Sequence, residues 1–341
     1  MEKEIKTFEL KNSSQAGVVL CNIGAGITSI VVPDREGNMA DVVLGYKNLK
    51  DYFGDGACMG KTPGRYANRI AKGFLKIDGK EYHLPINNGE NHLHGGNNGF
   101  ANRIWESEQE GNIVTFRYFS KDGEENYPGN LEATVVYSWS EDNELTMEFF
   151  AHSDAPTVCN LTNHSYFNLK GENQGNIIDH KLKLYATKYL PTDNGLIPTG
   201  EIMSVKDTPM DFTQGKLLGE DINKDFDALN FGKGYDNCWI LDNNTTLDKS
   251  NIVFPAAELS CDKTGRKLDV YTSSCGIQVY TGNWLKGSPE GKQGRNYQDY
   301  DGVALECQSL PDSPNKSNFP NVILRPNEEY RNIIKFKFST F

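Results

Sequence analysis

Apolar and polar residues alternate along most of this chain, and the 3.6-residue rhythm of a helix is nearly absent from it. Leu131, Ala133, Val135, Tyr137 and Trp139 are interleaved with Glu132, Thr134, Val136 and Ser138. After Glu141-Asp142-Asn143 the alternation resumes at Leu145, Met147, Phe149 and Ala151. Two such runs around a short polar turn predict an antiparallel hairpin with one apolar face. Phe74-Leu75-Lys76-Ile77 and Lys80-Glu81-Tyr82-His83-Leu84 flank Asp78-Gly79, a pair suited to a type I′ turn. Asp34–Asn38 and Asp262–Arg266 predict two more turns, and the one helix candidate runs from Gly219 to Leu229. Strands at this spacing predict an all-β fold, a large antiparallel β-sandwich, whose buried strands line a cleft with their alternate polar residues.

Two segments place chemistry on that alternation. Asn160–Leu169 reads as a strand with Thr162, His164 and Tyr166 on one face and Leu161, Phe167 and Leu169 on the other. Val303, Leu305 and Cys307 back a second strand, leaving Ala304, Glu306 and Gln308 opposite. Taken singly, a strand histidine is a hydrogen-bonded structural group and a strand glutamate a wet face. On polar faces of apolar-backed strands, His164 and Glu306 could meet across a groove and would then be the minimum equipment for general acid–base chemistry near neutral pH, which the spacing alone does not establish.

Composition narrows the class. The 341 residues include 33 glycines, 16 tyrosines and 17 phenylalanines, favouring strands and turns. No break in composition, Pro/Gly/Ser-rich linker or repeat divides them, so residues 1–341 read as a single domain. A net charge of −11 argues against nucleic acid or an anionic membrane as partner and suits a neutral, hydroxyl-rich small molecule. No run of 18 apolar residues spans a membrane, and Met1–Lys6 lacks the apolar stretch of a signal peptide. Seven cysteines without a CxxC pair read as reduced, mostly buried thiols, and the expected compartment is cytoplasmic.

Further motifs surround the pair. Gly64-Arg65-Tyr66-Ala67-Asn68-Arg69-Ile70 carries two arginines four apart, by itself compatible with a solvated turn. In Asn91-His92-Leu93-His94-Gly95-Gly96 the two histidines have a metal-ligand spacing, yet glycines and asparagines follow where a third ligand is needed. No metal is therefore assigned, and the glycines instead let backbone approach a ligand closely. These motifs resemble the aldose 1-epimerase (galactose mutarotase) family. They are joined by Gly24–Ile30, Asn163–Leu169, Pro191-Thr192-Asp193, Ile197–Gly200, Tyr235-Asp236-Asn237, Gly276–Asn283 and Leu305–Gln308, in family order.

The resemblance implies a galactose mutarotase-like supersandwich that interconverts α and β anomers of free hexoses such as galactose and glucose. It implies Glu306 as general base, His164 as general acid and His94 beside the ring. Asn68, Arg69, Asp236 and Gln278 would hold sugar hydroxyls. Tyr166 either stacks on the sugar or fills the core, Trp239 and Trp284 are expected in the core, and His92 is expected as a strand histidine at the cleft rim. Anomer exchange moves only protons: O1 loses one, the ring oxygen gains one, C1–O5 opens, C1–C2 rotates and the ring recloses. Both groups must work at one pH, so a Glu306 raised by burial or a His164 raised by a nearby carboxylate would help. The reaction needs no cofactor, and the assembly expected is a monomer or homodimer. Three other readings fit parts of this set. A non-catalytic sugar-binding module needs Arg69 and Asp236 but not both His164 and Glu306. A glycoside hydrolase or lyase would pair Glu306 with Asp236. A mutarotase-like enzyme for another aldose or a sugar phosphate is nearest in kind, though phosphate calls for more cationic side chains than the charge suggests.

Overall fold

Leu131–Trp139 and Glu144–Ser153 pair as the hairpin their alternation predicts, with Leu131 opposite Ser153 and Trp139 opposite Leu145. Phe74–Ile77 and Lys80–His83 close over Asp78 and Gly79, both at positive φ (50° and 84°), as a type I′ turn requires. The computed structural model describes residues 4–242 and 252–341, so the first three residues of the N-terminal segment discussed above lie outside it.

The long hairpin sits in a nine-stranded antiparallel sheet. Its order is Lys216–Leu217, Lys181–Leu184, Phe254–Cys261, Arg266–Thr272, Tyr330–Thr340, Glu144–Ser153, Leu131–Trp139, Ile113–Ser120, Glu106–Glu110. A six-stranded antiparallel sheet runs Tyr166–Phe167, Val303–Gln308, Gly276–Tyr280, Asp236–Ile240, Lys188–Tyr189, Met203–Ser204. Both sheets send side chains into one core: Val135, Met147, Phe149, Val270 and Phe336 from the larger, Trp239, Ile277, Val279, Leu305 and Cys307 from the smaller. Each such large side chain contributes roughly 1.5–3 kcal/mol by leaving water, before conformational entropy is charged against it. With its inner positions committed to that core, the smaller sheet presents its alternate residues outward, and there the polar groups gather.

Two expected elements take another form. The segment from Gly219 to Leu229 is not one helix but two short ones, Leu218–Asp221 and Asp227–Gly232, interrupted at Phe226, which is extended. A side-chain bond spans the break, Asn230 Nδ2 donating to Asp225 Oδ1. Asn160–Leu169 is a strand only at Tyr166–Phe167. Its amides replace ladder bonds: Asn160 Nδ2 donates to Ala67 O, Asn163 Nδ2 to Gly60 O, and Asn168 Nδ2 to Gly175 O and Asp301 O. All seven cysteines are free; six are buried and Cys275 is half-buried. Among the described residues no helix is long and apolar enough to cross a membrane.

Candidate active site

Strand register determines what stands beside what on the outer face of the six-stranded sheet. Cys238, Gln278 and Glu306 lie opposite one another in one cross-strand row. Asp236, Tyr280, Ala304 and Tyr166 form the next. Alternation is strict along Val303–Gln308: Val303, Leu305 and Cys307 are all in the core, so Glu306 faces outward. It is nonetheless buried, since loops cover this face.

The covering loops bring the imidazoles. His164 is clamped through its backbone, its N–H donating to Lys61 O (2.9 Å) and its carbonyl accepting from Gly60 N–H (2.9 Å). Gly60 has φ 69°, and a Cβ on it would collide with Ile27 O. Behind this loop Lys61 is fully buried and binds the Asp55 carboxylate and Tyr52 O. The His164 ring lies against Tyr166, with centroids 4.9 Å apart, and edge-on to His94 at 5.2 Å. Its Nε2 stands 3.4 Å from Glu306 Oε1.

Asn68 and His94 both adopt left-handed backbone conformations (φ 67° and 52°), and each bonds to the other's residue. His94 N–H donates to Asn68 O (3.2 Å), and Asn68 N–H donates to His94 Nδ1 (3.1 Å). Since Nδ1 accepts, the ring proton of neutral His94 resides on Nε2. Gly95 makes the turn possible, as a Cβ there would overlap Gly64 O. The turn also takes His94 off the His92–Leu93 strand, so the two histidines do not share a face. His92 is buried away from the cleft rim where it was expected: Nδ1 donates to Pro85 O at 2.7 Å, and Nε2 accepts from Tyr127 OH at 2.6 Å.

Arg69 and Asp236 form a nearly buried pair, Nη2 to Oδ2 at 3.5 Å. Arg69 Nε donates to Asn88 Oδ1 (3.2 Å), and Gln278 Nε2 donates to Asp236 Oδ1 (2.7 Å). The other conspicuous arginine, Arg65, is not on a solvated turn. It is buried and donates to Ser120, Lys121 and Pro128 carbonyls and to Ser120 Oγ, tying loops together.

Burial dominates the electrostatics. It pushes Glu306 well above the ordinary carboxylate range, with the Asp236 charge adding to the effect and Arg69 opposing it. It pulls His164 down to about 4, with Lys61 contributing in the same direction. His94 is likewise held well below the ordinary imidazole value, by burial and then by the neighbouring His164. Of the two elevations that would help, the one by burial is found at Glu306, whereas His164 moves down because desolvation dominates its surroundings.

A cavity of about 210 Å³ collects Asn68, Arg69, His94, His164, Tyr166, Asp236 and Glu306. At about 30 Å³ per liquid water this is room for roughly seven waters, the scale of one monosaccharide. Gln278 does not line it but stands behind Asp236. Tyr166 is a buried wall, its hydroxyl donating to Ala57 O. Asn88, Tyr280 and Trp284 also line the cavity and were not singled out for it in the sequence. Trp239 is in the core as expected, whereas Trp284 is 50% exposed at the mouth, stacked on Tyr280. Glu306 Oε2 and His164 Nδ1 are buried without a hydrogen-bond partner among the described residues. Ligand atoms of His94, His164 and Glu306 all lie within 4.8 Å of one another, close enough to share a small cation or to exchange protons through one bound hydroxyl.

Comparison with known proteins gives a consistent result. The family model described as Aldose 1-epimerase matches residues 6–337. The chain is 42% identical over 335 residues to a galactose mutarotase of Bos taurus, covering 98% of this chain and 94% of that protein. It is 37% identical over 336 residues to an aldose 1-epimerase of Escherichia coli K12, covering 98% and 95%. The crystal structure of an aldose epimerase homologue from C. elegans superimposes with a TM-score of 0.89 at 32% identity, covering 99% of each chain.

Proposed function

The chain belongs to the aldose 1-epimerase family and is an isomerase of the mutarotase type; on that premise we propose that it interconverts the α and β anomers of D-galactose and D-glucose, with Glu306 and His164 as the proton carriers. Glu306 removes the proton from O1 while His164 delivers one to the ring oxygen. C1–O5 opens, the aldehyde rotates about C1–C2, and the two groups exchange roles as the ring closes. His94 directs its Nε2–H toward the sugar, and Arg69, Asp236 and Asn68 hold hydroxyls. Gln278 acts through Asp236.

The observation that carries this reading is the 3.4 Å approach of His164 Nε2 to Glu306 Oε1 beside a monosaccharide-sized cavity. Its energetics favour a shared proton. Opening the ring turns carboxylate plus imidazolium into carboxylic acid plus imidazole. With ordinary values of roughly 4.3 and 6.5 that relay runs uphill by about 3 kcal/mol. Burial raises Glu306 and lowers His164, so both shifts favour the proton on Glu306 and act against that uphill cost of the opening relay. Both forms of the pair carry zero net charge, which suits a buried site.

The same reading takes residues 1–341 as one domain working in the cytoplasm on free sugars without a cofactor. The test is anomer exchange followed by NMR on freshly dissolved α-D-galactose, α-D-glucose, xylose and arabinose. Catalysed exchange in none of them contradicts the proposal, and the ranking among them identifies the preferred aldose.

A further inference from the structure

His94 stands on a loop just beyond the end of a two-residue strand. His92–Leu93 pairs with Arg69–Ile70, and the chain then turns away through positive φ at His94, Gly95 and Gly96. The next two amides are taken by a residue distant in sequence: Asn97 N–H donates to Glu125 Oε2 and Asn98 N–H to Glu125 Oε1, each at 3.0 Å. One carboxylate thus accepts two successive backbone donors, an arrangement that favours a charged acceptor. Gly96 admits it, since a Cβ there would overlap Glu125 Oε2 and crowd the His92 ring.

Glu125 belongs to the connection between Ile113–Ser120 and Leu131–Trp139, and that connection holds both loops that meet at His94. On one side, Tyr127 OH donates to His92 Nε2 (2.6 Å) and Asn126 Nδ2 donates to His83 O (2.8 Å). On the other, the carbonyls of Ser120, Lys121 and Pro128 accept from the guanidinium of Arg65, three residues before Asn68. These two loops join where Asn68 N–H donates to His94 Nδ1. Glu124 fastens the connection itself, accepting from Tyr118 OH (2.6 Å) and pairing with Arg103 (2.9 Å). Glu125 and Asn126 are successive non-glycine residues at positive φ, 48° and 64°. Such backbone is costly and persists where its surroundings over-determine it. Here it delivers a carboxylate to two amides of the His94 loop.

We propose that Glu125 is a positioning residue for anomer exchange, an inference that rests on the mutarotase reading above. Glu125 does not line the cavity. It acts through the loop, keeping His94 turned so that Nδ1 accepts from Asn68 and Nε2–H faces the sugar. Without the carboxylate the Asn97 and Asn98 amides turn to water, and the bond between Asn68 and His94 has to be re-formed in each productive encounter. Arg69 and Asp236 are tied to Asn88 and Gln278 instead, so sugar binding changes less than turnover.

The test compares the parent chain, Glu125→Ala and Glu125→Gln by NMR exchange of fresh α-D-galactose and α-D-glucose. The ring nitrogens of His94 are read by 15N NMR at pH 7, where burial keeps that ring neutral. The expected result is a fall in kcat of about fivefold or more in Glu125→Ala, with KM within about twofold, since small misplacements of a reacting group are costly. Glu125→Gln keeps one acceptor and loses less. His94 in the parent shows a single tautomer with its proton on Nε2, and in Glu125→Ala a mixture of the two. An unchanged kcat in Glu125→Ala, or an unchanged His94 signature, overturns the inference even if the urea midpoint drops, because a merely structural residue gives that result. Where Glu125→Ala does not fold, the same findings in Glu125→Gln overturn it. A parent that accelerates exchange of neither sugar overturns the mutarotase reading instead.

Discussion

Glu306 Oε1 lies 3.4 Å from His164 Nε2, yet one residue sits on a regular strand and the other on a loop held by Gly60 and Lys61. The two depend on different parts of the fold for their placement, and burial raises the proton affinity of Glu306 while lowering that of His164. Activity, pH response and stability each register that arrangement.

The proposed pair works only while it holds a single proton, so the profile of kcat/KM against pH is bell-shaped, with apparent values that belong to the pair. Below about 4 the His164 ring takes a second proton and activity falls. The alkaline limb comes when Glu306 loses the shared proton, well above the ordinary carboxylate value. Asp236 raises Glu306 by charge repulsion, so Asp236→Asn moves the alkaline limb to lower pH. A limb that stays in place or moves upward contradicts the electrostatic account. Rates of anomer exchange across pH for both proteins decide it.

Lys61 and Asp55 are a buried ion pair behind His164, and Asp55 also accepts from Met59 N–H and Tyr46 OH. Lys61→Met leaves the Asp55 carboxylate buried without its cation, at a cost of about 3–5 kcal/mol. The urea midpoint drops accordingly, and the double variant Lys61→Met/Asp55→Leu regains part of the loss. A single variant as stable as the parent contradicts the pairing.

His92 titrates at about 4 in the folded protein because it is buried, against roughly 6.5 when unfolded. The unfolded chain therefore binds more protons between those values. Stability contributed by neutral His92 is complete above about 6.5, declines as pH falls toward 4 and changes no further below that, a total on the order of 3 kcal/mol. His92→Phe forfeits the bonds to Pro85 and Tyr127 and is less stable at pH 7, but its stability declines less steeply between pH 6.5 and 4. Urea denaturation of both proteins at pH 7, 5.5 and 4.5 measures the difference; parallel declines contradict the assignment.

Much of this was legible from periodicity. Alternation identified the Leu131–Ser153 hairpin and the outward side of Val303–Gln308, because each strand is tethered to a core that fixes its register. It failed where side chains replace ladder bonds. Asn160–Ser165 alternates like a strand but is held by asparagine amides and neighbouring loops, and no local pattern reveals that. Asn88 and Trp284 were missed at the cavity because their placement depends on which loops come together. An exposed tryptophan and a core tryptophan look alike in one dimension. His92 and His94 share a spacing but not a face, since a left-handed turn at His94 intervenes. Gly95-Gly96 just after it was the available signal.

The most direct measurement is the rate at which fresh α-D-galactose or α-D-glucose approaches anomeric equilibrium with wild-type enzyme, Glu306→Gln and His164→Asn at equal concentration. Each positioned proton carrier is worth roughly 10²–10⁴-fold, so each variant should lose at least a hundredfold in kcat while its circular dichroism stays that of the parent. Folded variants that both retain rates near the parent's would contradict the central claim that these two groups flank the anomeric carbon.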